Sequence, residues 1–295
     1  MQIKRDHGGN LDAAIARFGG DRSNWLDLST GINPAAYPLP PSPDSAWTTL
    51  PDVTARDTLI QAAHQFWAVP DGAGILPVAG ASAAIAHIPL LANPGRVAIP
   101  GPTYNEHAAS FAAAGWDVIE DGAHDASVHV HPNNPDGRLW DAANCTGKLR
   151  VIDESFCDVD PDASLVCEAV KPDTLVLKSF GKFWGLAGVR LGFVIGNPVL
   201  LERLSAMLGP WAVAGPALEI GTAALRDMTW AEETRARLTK DAARLDTLLS
   251  AKGAIPLGGT TLFRLYEVDN ASQWQSRLAQ HHIWTRAFPY NPRWL

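Results

Sequence analysis

A lysine flanked by Gly181, Gly185 and Gly188 stands in LKSFGKFWGLAGVRLGF (Leu177–Phe193), with Ser179 three residues before it and Arg190 eight after. Two chemistries use a lysine in glycine-rich company: phosphate gripping in a P-loop and Schiff-base formation. A P-loop needs Gly, four residues, then Gly-Lys-Ser/Thr. Here the first glycine position is Val176 and Phe183 follows Lys182, so that reading fails twice. A Schiff-base lysine and an ordinary solvated lysine both remain.

Other short runs carry polar groups at the ends of apolar segments. VIDESF (Val151–Phe156) ends an apolar run on Asp153, where a buried carboxylate needs a partner or serves as a turn residue. HPNNPDG (His131–Gly137) supplies two amides in a reverse turn, which such residues form with or without a ligand. GASAA (Gly80–Ala84) ends one run and opens a helical one, leaving N–H groups free for an anion. His129 and His131 share a strand face, a spacing that suits a metal, but no third ligand accompanies them and no metal is expected.

The elements that must hold these runs alternate. Strands are expected at Gly74–Ala79, Arg96–Ile99, Trp116–Ile119, Ser127–His131, Leu149–Asp153, Thr174–Lys178 and Leu191–Ile195, and helices at Ser82–Leu91 and Asn105–Ala114. Earlier helical spacing covers Asn10–Phe18 and Thr54–Trp67, the second with Thr54 as N-cap. Ala214–Arg226 and Trp230–Lys252 read as amphipathic helices, and Thr260–Val268, Ser272–His281 and Ile283–Phe288 as strand, helix and strand. This is an α/β pattern, a mostly parallel sheet covered on both faces, with ligands expected beyond the carboxyl ends of the strands. The expected division is a large domain over 31–205 and a smaller one from 1–30 with 206–295.

Composition narrows the function class. A net charge of −7 without a basic run speaks against nucleic acid or an anionic membrane as partner. The start, MQIKRDHGGN, lacks a signal-peptide core, and no apolar run is long enough to span a bilayer. Cys145, Cys157 and Cys167 lack CxxC spacing and read as reduced thiols of a cytoplasmic protein.

Taken in order, GASAA, PGPTYNEH, HPNNPDG, VIDESF and the lysine stretch resemble the fold-type I, aspartate-aminotransferase-like enzymes that use pyridoxal 5′-phosphate (PLP). The resemblance implies that Lys182 forms the Schiff base, that Asp153 faces the pyridine nitrogen and that Asn134 donates to the ring's phenolic oxygen. It implies a phosphate cup of Gly80, Ala81, Ser82, Ser179 and Arg190, with Tyr104 stacked on the ring. Two places depart from the family pattern. Phe156 stands where many relatives have tyrosine, and Gly181 where many have a hydroxyl.

HGGNLDAAIARFG (His7–Gly19) and WLDLSTGINPAAYP (Trp25–Pro38) resemble, more narrowly, the threonine-phosphate decarboxylases of cobalamin biosynthesis, close to the histidinol-phosphate aminotransferases. This likeness implies a phosphorylated amino acid as substrate and a homodimer. It also implies substrate contacts from His7, Gly31, Asn33 and Arg286. The resemblance further leads one to expect more chain after FPYNPRWL (Phe288–Leu295), so the small domain is expected to be shortened at that end. An aminotransferase and a non-catalytic cofactor-binding protein share the same cofactor residues and stay open here.

Overall fold

The computed structural model describes residues 7–295. In chain order the elements are α1 (Leu11–Phe18), β1 (Leu26–Asp27), α2 (Asp44–Thr48), α3 (Val53–Phe66), β2 (Gly74–Val78), α4 (Ala81–His87), β3 (Arg96–Ala98), α5 (Asn105–Ala113), β4 (Asp117–Ile119) and β5 (Ala126–Val130). There follow β6 (Leu149–Asp153), β7 (Thr174–Ser179), β8 (Gly192–Gly196), α6 (Pro198–Leu208), α7 (Gly215–Arg226) and α8 (Met228–Ser250). The chain closes with β9 (Ile255–Gly259), β10 (Arg264–Glu267), α9 (Ala271–Ala279) and β11 (Ile283–Trp284).

These elements make two compact units. The larger consists of Ile32–Asn134 and Arg138–Ala236; the smaller joins 7–31 with Pro135–Gly137 and Arg237–Leu295. The larger unit thus runs past the boundary expected at 205. Its reason is aromatic: Trp230, in the first turn of α8, stacks on Trp184 with ring centroids 5.2 Å apart, and α7 packs along α3.

The larger unit is built on a seven-stranded sheet in the order β2-β8-β7-β6-β5-β3-β4. Strands β3 to β7 pair in parallel, whereas β8 is antiparallel to both β7 and β2. Every residue of β5 and β8 is buried, as expected of strands covered on both faces. Val78, Ile85, Val97, Val128, Val151, Leu177 and Val194 form one apolar cluster with Leu201 and Leu204 of α6. Each such side chain stabilises the fold by roughly 1.5–3 kcal/mol relative to exposure.

Strand direction decides which loops meet. The carboxyl ends of β3, β5, β6 and β7 share one edge because these strands run the same way. Strand β8 runs oppositely, so its beginning lies at that edge, and β2, reversed once more, again presents its end there. Gly80, Tyr104, His131–Asn134, Asp153–Phe156, Ser179–Lys182 and Arg190 therefore all belong to loops of a single sheet edge.

In the smaller unit β9 and β10 are antiparallel, and β1 pairs in parallel with β11. The single strand expected over Thr260–Val268 is instead the second arm of this hairpin. Its first arm, IPLGG, was hidden by a proline and two glycines, which score poorly as strand formers. Residues near the end lie along β10: the Tyr266 and Leu295 amides each donate to the other's carbonyl at 3.0 Å. Leu295 packs with Trp274 and Tyr266.

Local chemistry explains other adjusted boundaries. Asp52, not Thr54, caps α3, its carboxylate accepting from the Ala55 amide at 2.7 Å. The helix expected over Ser82–Leu91 turns 3-10 at Ile88, where Pro89 removes an N–H. The terminal strand shrinks from Ile283–Phe288 to two residues.

Candidate active site

At the loop edge Asp153 ends β6 and is 2% exposed. Burial alone pushes its carboxyl up. Hydrogen bonds from His107 Nε2 (2.8 Å), the Ser155 hydroxyl (2.5 Å) and the Ser155 amide (3.0 Å) outweigh that and hold it below the usual carboxylate range. The group therefore stays an anion inside the protein. His107 is itself buried and stands in α5, 46 positions away in sequence, so no spacing rule ties it to Asp153. Sequence reasoning missed both His107 and Ser155. The one available signal was a histidine on the inner face of the helix that follows Tyr104.

Around this carboxylate the expected residues gather in part. The Tyr104 ring meets the His107 ring edge-on at 6.1 Å between centroids. Burial first, then the negative Asp153 and Glu106, push the Tyr104 phenol up, while Ser82 hydrogen-bonds it and Arg190 acts as a nearby positive charge. Gly80 has φ +78°, and a Cβ placed there would come within 2.6 Å of Arg190 Nη2. The missing side chain lets the Arg190 guanidinium lie against the Gly80 backbone. Arg190 takes a left-handed conformation at φ 55°, a strained state for a side-chain-bearing residue, with its guanidinium donating to the Ala187 carbonyl at 3.0 Å. Ala81 is buried at the start of α4, and Ser82 beside it is exposed.

Lys182 follows β7 by three residues. Ser179 Oγ accepts from the Gly181 amide at 3.3 Å, and the Lys182 ammonium lies 5.1 Å from the centre of the Phe156 ring. The lysine turn is gripped along its backbone. Lys182 O accepts from the Asn33 amide (3.0 Å), Phe183 O from Asn33 Nδ2 (2.8 Å) and Trp184 O from the Tyr37 amide (2.9 Å). Asn33 is 2% exposed and its Oδ1 accepts from the Ala35 amide, so both ends of its side chain are engaged within the protein.

Asn134 is half-buried at the end of the β5 loop. Its neighbour Asn133 ties that loop to the Tyr104 segment, donating to Pro102 O at 3.0 Å and accepting from Thr103 Oγ1 at 2.6 Å. His7, Gly31 and Arg286 belong to the smaller unit. His7 is exposed, Gly31 is buried, and the Arg286 guanidinium covers the Phe288 ring at 4.8 Å. The His-Gly-Gly segment is fastened rather than frayed: the Gly9 amide donates to Ser29 Oγ at 2.7 Å.

The two histidines of β5 and its loop have different surroundings. His131 accepts from the Trp140 amide at Nδ1 and therefore carries its proton on Nε2, which donates to Ala163 O at 2.7 Å. Glu154 and Cys157 are near enough to His131 to suggest a ligand trio. Glu154 is paired with Lys178, and burial pushes the Cys157 thiol up. His129, beside Trp140 at 4.6 Å, has no hydrogen-bond partner at Nδ1, and burial followed by the positive neighbours lowers it to about 4.

That lowered histidine gives a stability prediction. The unfolded chain binds a proton at His129 from pH 6.5 downward, while the folded chain resists until about 4. Stability is therefore greatest above pH 6.5 and falls as pH drops through that window, by up to about 3 kcal/mol. Denaturant melts at pH 7 and pH 4.5 should show the loss, and His129→Phe should remove most of the difference. An equal loss in the variant would refute the assignment.

A sequence profile described as aminotransferase class I and II matches residues 124–295, more than half of the chain. A threonine-phosphate decarboxylase from a Sinorhizobium species is 41% identical over 98% of this chain and 91% of its own length. The chain belongs to the aminotransferase class I and II family and, within it, to the threonine-phosphate decarboxylases. Another decarboxylase of that name, from Pseudomonas aeruginosa, is 38% identical over 96% of this chain and 89% of its own. In fold, this family member superposes on histidinol-phosphate aminotransferase from Sinorhizobium meliloti, solved in complex with pyridoxal-5′-phosphate. The TM-score is 0.79 at 19% identity, over 99% of this chain and 89% of that one. The decarboxylase-family chain is thus a fold-type I, aminotransferase-like protein.

The donor set also suits PLP on its own terms. An ionised, buried carboxylate fits a protonated ring nitrogen, the Arg190 guanidinium lying against Gly80 at the start of α4 fits a phosphate, and a clamped lysine turn fits a covalent attachment.

Proposed function

We propose that this protein is a PLP-dependent carboxy-lyase that converts L-threonine O-3-phosphate to 1-amino-2-propanol O-2-phosphate and CO2, in cobalamin biosynthesis. The observation that carries the reading is 41% identity to a threonine-phosphate decarboxylase across 98% of the chain. In this reading the protein works in the cytoplasm as a homodimer, and no helix among the described residues is long and apolar enough to cross a membrane.

In this reading Lys182 holds the cofactor covalently through Nζ and later delivers a proton to the substrate's Cα. When bound, PLP supplies an electron sink for the pair released from a broken Cα bond. Asp153, kept ionised by His107 and Ser155, holds the proton on the pyridine nitrogen. Tyr104 covers the ring, and Asn134 donates to its phenolic oxygen. Gly80, Ala81, Ser82, Ser179 and Arg190 receive the cofactor's phosphate. Phe156 offers Lys182 an aromatic face and no hydroxyl, so the amine there is steered by packing and cation–π attraction. His7, Gly31 and Arg286 are the proposed substrate contacts. Asn33, proposed with them on resemblance, already has partners for both ends of its amide. Its contribution is better placed in holding the lysine turn.

Decarboxylation requires that the bond from Cα to the carboxylate, rather than to hydrogen, be aligned with the π system. The substrate contacts set that choice. Incubation of protein and PLP with threonine phosphate, in the absence of any keto acid, should release CO2 stoichiometrically with amine formation. Aminotransferase activity is the second reading, favoured by the family profile itself. Amino transfer that needs 2-oxoglutarate, with no CO2, would select it.

A further inference from the structure

Behind Asp153 and Lys182 lies a group of buried charges that the chemistry above does not use. Lys178 precedes Ser179 in β7, and strand alternation turns the two side chains to opposite faces. Lys178 is 2% exposed, with Nζ 2.5 Å from Glu154 Oε2 and 3.9 Å from Asp158 Oδ1. Glu154, the residue after Asp153, also accepts from Ser164 Oγ (2.7 Å) and the Leu165 amide (2.5 Å). Asp158 accepts from the indole N–H groups of Trp67 (2.8 Å) and Trp184 (3.2 Å), and its carbonyl accepts from Arg235 Nε (2.8 Å). Trp184 is fully buried, two residues after Lys182, and stacks on both Phe180 and Trp230 with ring centroids 5.2 Å apart in each case.

The cluster therefore has a hand on each loop. Through Glu154 and Asp158 it holds the loop that begins at Asp153 and carries Phe156; through Lys178 and Trp184 it holds the strand end and turn that carry Lys182. Burying ions is costly, and apolar residues of the same volume commonly stabilise a fold as well or better. Stability is thus a weak account of three buried charges, whereas a fixed register between two loops is a direct one.

We propose that Lys178, Glu154 and Asp158 are positioning residues that set the Lys182 amine against the Asp153 carboxylate. This rests on the reading in which those two groups act on PLP. The position matters because a displacement of about 1 Å in a reacting group can cost on the order of a hundredfold in rate.

The test uses the PLP-loaded protein and two variants. Trp184→Phe keeps an aromatic ring in the stack and deletes the indole N–H to Asp158 together with the volume of the second ring, whose packing cost the melting measurement reads separately. Glu154→Gln/Lys178→Met removes both charges of the close pair while keeping volume. Each is measured for borohydride-trapped label per chain, the pH midpoint of the Schiff-base absorption band without substrate, kcat and KM, and apoprotein melting. The expected result is full labelling at Lys182, a band midpoint moved by about half a pH unit, and kcat lower by about tenfold with KM within about twofold. Unchanged midpoint and kcat in a folded variant overturn the proposal, even if its melting temperature falls. Should the double variant not fold, Trp184→Phe decides alone. Wild-type protein without label at Lys182 overturns the functional reading and this proposal together. Label with an unmoved midpoint in the variant overturns the proposal only.

Discussion

Replacing Lys182 by alanine should lower turnover by roughly 10⁴-fold or more, the scale on which loss of a covalent catalyst acts. The same change should barely touch stability. One contact the fold loses is the ammonium over the Phe156 ring, worth about 0.5–1 kcal/mol at a partly exposed site. The backbone grip on the turn is kept, because the carbonyls of residues 182, 183 and 184 remain as acceptors for Asn33 and Tyr37. Borohydride reduction of wild-type protein followed by peptide mapping supplies the direct check. Label is expected on Lys182. Lys178 serves as a built-in control, since it is only four residues away, buried and paired with Glu154. Pyridoxyl label on Lys178, or on any peptide without Lys182, would falsify the assignment.

The second large effect belongs to Asp153. Asp153→Asn keeps the shape and removes the charge, and should cost on the order of 10²–10³ in kcat, the size seen when one preorganised electrostatic partner is lost. Turnover within about threefold of wild type would refute its role. The change also has a pH signature. The folded carboxyl titrates below an unfolded aspartate because His107 and Ser155 stabilise the anion against its burial. Its contribution to stability is thus complete above about pH 4 and is lost as pH falls through the lower, folded value. In the asparagine variant this acid-limb contribution should vanish, leaving the His129 window as the main remaining slope between pH 4 and 6.5.

Much of the larger unit was legible because its strands are buried on both faces. Runs such as VIDES and TLVLKS stand out as apolar segments ending on polar residues, and all seven strands of the main sheet fall within a residue or two of their expected places. The orientation of β8 was not legible. Apolar content is the same in either direction, so nothing in LGFVIG marks it as antiparallel. Yet that reversal is what brings Arg190 to the edge where Gly80 lies. The proposed cofactor residues could be picked out because they stand at or near strand ends. Their supports could not: His107, Asn33, Trp184 and Asp158 act through contacts up to 150 positions apart in sequence, beyond the reach of periodicity. Asn33 is the instructive case. The family resemblance pointed it outward to a ligand, whereas the structure turns its amide inward to the lysine turn.

The order of strands also fixes an order of events. Among the described residues, edge strand β2 finds its only strand partner in β8, so Gly74 pairs with Gly196 across more than a hundred intervening residues. During synthesis β2 must wait, unpaired, until the whole of β3 to β7 and then β8 have been made. Such distant pairing is entropically slow. Gly80 and Arg190 stand near the ends of those two strands, so their meeting should come late in the closure of the large unit. A nascent chain released before β8 emerges would lack the approach of Arg190 to Gly80 and, without Trp230, the stacked ring beneath Trp184.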